Sequence, residues 1–167
     1  MVSWAERFDL YEESDRILCA GWPEFLLHNT LVARLWERFV EGFREYQLMV
    51  MDGEEIAAVI NSLPLRVDVP WDELPAGGWE WGFATALEQA GRGTPPNCLF
   101  GVQVVVNRAY RGRGLAARAV REMAALAARQ GFSDLVIALR PSLKDRHPHE
   151  SMADYLARET EQGESYE

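Results

Sequence analysis

The sequence predicts a single α/β domain, residues 1–167, in which a β-hairpin and a strand–helix–strand unit share one sheet. Three observations predict it. Asp52-Gly53 separates two apolar runs, 46–51 and 55–65, and Asp-Gly is the pair that a tight hairpin turn favours because both central residues take positive φ. Residues 98–106, Cys-Leu-Phe-Gly-Val-Gln-Val-Val-Val, are rich in β-branched side chains and too short for a buried helix, which marks a central strand. Two segments, 31–45 and about 113–130, carry their apolar residues at helical spacing.

Taken in order, residues 15–20 include Ile17, Leu18 and Cys19 and read as a first strand, and a short helix is expected around 22–27. In 31–45, Leu31, Val32, Leu35, Trp36, Phe39, Val40 and Phe43 fall on one half-turn and charged residues on the other, with Asn29 or Thr30 as the cap. The hairpin follows. Prolines and paired glycines from Pro64 to Gly78 force a loop, and 79–90 reads as a short helix. After the strand 98–106, a loop over 107–112 leads into the helix of about 113–130, closed by Gly131. A strand at 135–139 and a helix at 150–160 complete the chain. Strand, helix, strand in this order makes the two strands near parallel.

Composition narrows the function classes. The net charge of −9 argues against a nucleic-acid binder, which needs a basic face for phosphates. Yet residues 107–146 hold nine of the 17 basic side chains and only three of the 26 acidic ones. One positive segment in an acidic protein suits a small polyphosphate ligand, with a cationic acceptor elsewhere. No apolar run reaches the ~20 residues of a membrane helix, no signal peptide is visible, and Cys19 and Cys98 lack metal-ligand spacing. A cytoplasmic protein with two buried thiols is the expectation. His147-Pro148-His149 reads as a solvated turn, so no metal site is expected.

The chemistry concentrates where the strand ending at Val106 meets the helix. Arg111-Gly112-Arg113-Gly114-Leu115-Ala116 is a glycine-containing turn opening a helix, where the first-turn N–H groups have no helical partner and the dipole favours an anion. It is a phosphate cradle. Gly112-x-Gly114-x-x-Ala117 also satisfies a dinucleotide fingerprint. Against that, Asn107 to Arg111 intervene after the strand, and the required acid would be Asp134, which precedes its strand instead of following it.

Arg111-x-x-Gly114-x-Ala116, after Val104-Val105-Val106 and at the head of a helix, resembles the acyl-CoA signature R/Q-x-x-G-x-G/A of GNAT-type N-acetyltransferases, and the similarity runs over about 15–160. The resemblance implies a mixed, mainly antiparallel sheet with helices on both faces. It also implies acetyl-CoA as cosubstrate and direct acetyl transfer to an amine. Arg111, Gly112, Arg113, Gly114, Leu115 and Ala116 would hold the CoA pyrophosphate, and Val104, Val105 and Val106 would pair with pantetheine. Tyr155 matches the tyrosine that protonates the leaving thiolate, a task a phenol of ordinary pKa about 10 suits. Glu80, set between Trp79 and Trp81, is the candidate base, a carboxylate among apolar neighbours. Ser142 and Lys144 are further candidates for contact with CoA or acceptor.

The sequence departs from the family after residue 139, where Arg140-Pro-Ser-Leu-Lys-Asp-Arg-His-Pro replaces the usual asparagine, and the family's last two strands have no counterpart before Glu167. The strand at 135–139 would then be a sheet edge, and a homodimer pairing that edge is expected. A non-catalytic acyl-CoA-binding or interaction module is the alternative function, and a dinucleotide-binding protein the weaker one.

Overall fold

The computed structural model describes residues 1–22, 24–139, 141, 143–160 and 162–163. Its elements are β1 (Val2–Ser3), α1 (Tyr11–Gly21), α2 (Glu24–Leu27), α3 (Thr30–Gly42), β2 (Gln47–Asp52), β3 (Glu55–Leu65), α4 (Gly78–Gly91), β4 (Cys98–Val106), α5 (Leu115–Arg129), β5 (Asp134–Ile137) and α6 (Met152–Leu156). Among the described residues one sheet runs in the order β1-β2-β3-β4-β5. The first three pairings are antiparallel and β4–β5 is parallel, as the hairpin and the strand–helix–strand unit require.

Helices cover both faces. Leu48, Val50, Ala58, Ile60 and Leu99 pack with Ala119, Met123 and Leu126 of α5 in one buried cluster. On the opposite face α1 and α4 lie so close to β4 that glycine is required. A Cβ at Gly21 would sit 2.3 Å from Val105 Cγ1, and one at Gly82 2.4 Å from Phe100 Cε2. Asn29 supplies the α3 cap, its Oδ1 accepting from the N–H groups of Leu31 and Val32 at 2.9 and 3.2 Å. Gly131, at φ 79°, closes α5 with the paired bonds of a Schellman motif, Phe132 N–H to Ala127 O at 2.9 Å and Gly131 N–H to Ala128 O at 3.1 Å.

Several expectations are corrected. Residues 15–20 are helical, part of α1: the buried positions are Ser14 and Leu18, four apart, so the inward face carries one strongly apolar side chain and its period is hard to see. The strand at the start is β1, two residues long, held by Val2–Met49 and Ser3–Leu48 pairing and by the fully buried Trp4 beside it. The helix expected over 79–90 is present as α4, one residue longer at each end. Cys98 is buried, with burial first and then Asp134 pushing its thiol up to about 11, whereas Cys19 is exposed.

Residues Met1–Ile137 and Ala138–Glu167 form two compact units. In the second, the helix expected over 150–160 shrinks to α6, whose N-cap Ser151 accepts from Asp154 N–H at 3.1 Å. Beyond it Arg158 bonds the Glu150 carboxylate at 2.9 Å and meets His147 Nδ1 at 2.9 Å, so these side chains fold back on the preceding turn where a longer helix would carry them away.

Candidate functional site

The site starts from a fault in the sheet. Along β3 and β4 the register passes from Asn61–Gln103 to Ser62–Gly101, which leaves Val102 as an extra residue, a β-bulge. Parallel pairing to β5 covers Cys98 to Gly101 only. From Gln103 to Val106 the side of β4 that faces away from β3 therefore has no strand beside it among the described residues.

That open edge leads straight into the glycine turn. Asn107 fixes the exit: its N–H bonds Ala57 O at 3.0 Å, its Nδ2 bonds Ile56 O at 2.9 Å, and its Oδ1 accepts from Ala109 N–H at 3.3 Å. Tyr110 fixes the next step, its hydroxyl donating to Glu55 Oε2 at 2.5 Å, and this bond chiefly pushes the phenol up to about 12. Both anchors reach the β2–β3 hairpin, so the turn is tied to the sheet before any ligand arrives. Gly112 and Gly114 have φ of 77° and 72°, a region L-residues avoid, and a Cβ at either would find nothing within 4 Å. Gly114 is the N-cap of α5, and its carbonyl takes the first helical bond from Arg118 at 3.2 Å. The N–H groups of Leu115, Ala116 and Ala117 precede that bond and point out of the helix end.

Charge follows the same geometry. Arg111 and Arg113 flank the turn and are exposed, Arg113 resting over the Tyr110 ring at 4.9 Å. A cleft of about 320 Å³ between α1 and the end of β4 gathers Arg16, Arg108 and Arg111 with Glu13 and Asn107. A second cavity of about 450 Å³, around Arg38, Leu87 and Gly91, holds none of the signature residues. Val104 and Val106 pack toward α5 and are half-buried, while Val105 turns to the other face against Gly21.

Residues 8–149 match the Acetyltransferase (GNAT) family, a span that contains β4, the turn and α5. The chain belongs to the GNAT acetyltransferase family. Among curated proteins, the arginine N-acetyltransferase avaD of Aspergillus versicolor is 33% identical over 165 residues, covering 91% of this chain and 56% of the relative, so the chain spans little more than half of that protein's length. Two solved structures share the fold. The loading GNATL domain of CurA from Lyngbya majuscula superposes with a TM-score of 0.62 at 17% identity, over 90% of this chain and 72% of that one. The aminoglycoside antibiotic 6'-N-acetyltransferase AAC(6')-IG from Acinetobacter haemolyticus gives a TM-score of 0.51 at 13% identity, over 91% and 86%.

The other candidates of this GNAT chain belong to other elements, α4 and α6. Glu80 is in the first turn of α4 and exposed, and its Oε1 accepts from Asn29 Nδ2 at 2.8 Å. It is not enclosed by Trp79 and Trp81. Trp79 turns inward, its Nε1 donating to the bulge carbonyl of Val102 at 2.6 Å and its ring stacking on Phe83 at 5.0 Å. Tyr155 sits on α6 in the second unit, 2% exposed, with the His147 ring at 5.6 Å and Lys144 Nζ 5.6 Å from its ring centroid. Ser142 lies outside the described residues. Among the described residues no three His, Cys, Asp or Glu side chains could hold a metal ion, and no helix is long and apolar enough to cross a membrane.

Sequence reasoning passed over a further group. Gln47, Asn61 and Gln103 stand side by side across β2, β3 and β4 on the α1/α4 face, and Gln47 and Asn61 are fully buried. The signal was a lone carboxamide within each apolar run, Gln103 inside Val102-Gln-Val104 and Asn61 after Ile60. Periodicity counts treat such a residue as noise, although a buried amide costs free energy unless its partners are supplied.

Proposed function

We propose that this GNAT chain transfers an acetyl group from acetyl-CoA directly to an amine. The observation that carries the proposal is the continuity of the open β4 edge with the anchored two-glycine turn at the head of α5. One end offers strand-type hydrogen bonds for an extended amide-bearing chain, and the other offers helix N–H groups and two arginines for a diphosphate. Arg111, Gly112, Arg113, Gly114, Leu115 and Ala116 hold the pyrophosphate in this reading, and Val104, Val105 and Val106 line the pantetheine. The thioester supplies the acyl group, so that a C–N bond to the acceptor forms as the C–S bond breaks. Glu80 takes the proton the amine loses, and Tyr155 donates one to the departing sulfur. The buried, free Cys98 fits the cytoplasmic setting expected from the sequence.

The similarity to an arginine N-acetyltransferase makes L-arginine the first acceptor to try. Thiol release from acetyl-CoA, followed over a panel of L-arginine, small amines and peptide N-termini, is expected to rise above the hydrolytic background with at least one amine. Tight CoA binding with no amine-dependent release would replace catalysis by a non-catalytic acyl-CoA-binding module.

The sheet order places β5 at one end of the sheet among the described residues, with Leu135, Val136 and Ile137 half-buried. A homodimer that pairs this edge belongs to the same reading. Light scattering at micromolar concentration is expected to give about twice the chain mass of 19.0 kDa, and a clean monomer would remove the dimer.

A further inference from the structure

We infer that Gln103 and Trp22 form a latch that sets the acceptor side of the transfer site, Gln103 positioning Trp22 and the Trp22 indole meeting the acceptor. The inference rests on the acyl-transfer reading above. It begins with the direction of the carboxamide chain, which the backbone dictates. Gln47 Nε2 lies 2.8 Å from Phe43 O and 2.9 Å from Ser62 O, and carbonyls only accept, so this atom is the amide nitrogen. Its Oε1 then accepts from Ser62 N–H at 3.2 Å and from Asn61 Nδ2 at 2.9 Å. Asn61 Oδ1 in turn accepts from Gln103 Nε2 at 2.8 Å, which leaves Gln103 Oε1 as the acceptor for Trp22 Nε1. Every amide in the row is oriented, and the outer end of the row is one indole.

Three apolar side chains would fill the middle of this sheet without the cost of desolvating amides, so the row calls for a use beyond stability. Its location supplies one. With the pyrophosphate on the turn and pantetheine running back along Val106 to Val104, the acyl end arrives at Gln103 and the Val102 bulge. Trp22 follows directly on Gly21, the point where α1 touches β4 at Val105, and its side chain is half-buried. From the α4 side Trp79 holds the bulge carbonyl itself. Two indoles are thus fixed through their N–H groups at neighbouring positions of β4, Trp79 on the Val102 carbonyl and Trp22 on the Gln103 side chain. Trp22 presents an aromatic wall at the acyl end, chemistry that suits a cationic acceptor such as arginine.

The test uses wild type, Gln103→Leu, Trp22→Phe and the double variant in steady-state acetyl transfer to L-arginine, with CoA affinity by calorimetry and thermal melts on the same samples. Each single change is expected to raise the arginine KM at least fivefold while the acetyl-CoA KM and the CoA Kd stay within twofold. The double variant should be no worse than the worse single one, because both break one latch. Trp22→Phe keeps a ring at a half-buried position, so its result stands even if Gln103→Leu fails to fold. An arginine KM within twofold in folded Trp22→Phe, multiplying effects, or an equal loss of CoA affinity would each overturn the latch. CoA binding and transfer to another amine but not to arginine would sink this acceptor assignment and leave acyl transfer standing. A wild type that binds no CoA would sink both.

Discussion

Gly114→Glu is expected to weaken CoA binding at least tenfold, ~1.4 kcal/mol, in calorimetry. The expectation combines two independent effects. At φ 72° a side chain either is held in the left-handed region at a cost of roughly 1–2 kcal/mol or leaves it and displaces the N–H groups that follow. The new carboxylate also lies where a diphosphate has to sit, and like charges repel across a helix end that otherwise favours anions. Because a Cβ at this position meets no protein atom within 4 Å, the variant has room to fold, and loss of binding will not be a by-product of a clash. Unchanged affinity in a folded variant, checked by circular dichroism, would take the turn out of the site.

Tyr155→Phe is expected to lower kcat by ~10²-fold, the low end for a positioned proton donor, with CoA affinity preserved. The ring stays, so its packing beside His147 and Lys144 stays too, and only the hydroxyl is lost. A kcat within twofold of the parent would leave Tyr155 as a packing residue of α6. Glu80→Gln supplies the complementary reading. Glutamine keeps the size of the side chain and an oxygen for Asn29 but cannot take up the amine's proton, so kcat/KM should fall by ~10²-fold if Glu80 is the base. A kcat/KM within twofold of the parent in the glutamine variant would return Glu80 to its visible task, the bond to Asn29 that ties the start of α4 to the cap of α3.

What could be read without coordinates were the features encoded within a few residues of one another. Cys98–Val106 was legible as a strand from its own β-branched run, the hairpin from Asp52-Gly53, and α3 and α5 from apolar stripes strong enough to show above the charged face. The turn was legible for the same reason. Its two glycines, two arginines and following helix are contiguous, so the requirement for left-handed backbone and for exposed N–H groups is written in six adjacent letters. α1 was misread because its inward face holds Ser14 beside Leu18, and a polar residue satisfied locally, here by Tyr11 O at 2.7 Å, breaks the stripe that a periodicity count seeks. β1 has two residues and owes its place to Trp4 and to β2.

Other properties exist only once distant strands are brought together. The Val102 bulge is a mismatch of register between β3 and β4, and the open edge of β4 is a matter of how far β5 follows it. Neither has a local signature, since both depend on pairing across 35 or more positions of chain. The carboxamide row is of the same kind. Gln47, Asn61 and Gln103 are unremarkable letters 14 and 42 positions apart that become one oriented wire when three strands align them, and its last oxygen accepts from Trp22, 81 positions from Gln103. Local sequence therefore determined the elements and the two-glycine turn at the head of α5, because short-range sterics and periodicity suffice for those. Tertiary structure decided where the sheet opens and which side chains stand at the opening, because those follow from register, and register is set by partners far away along the chain.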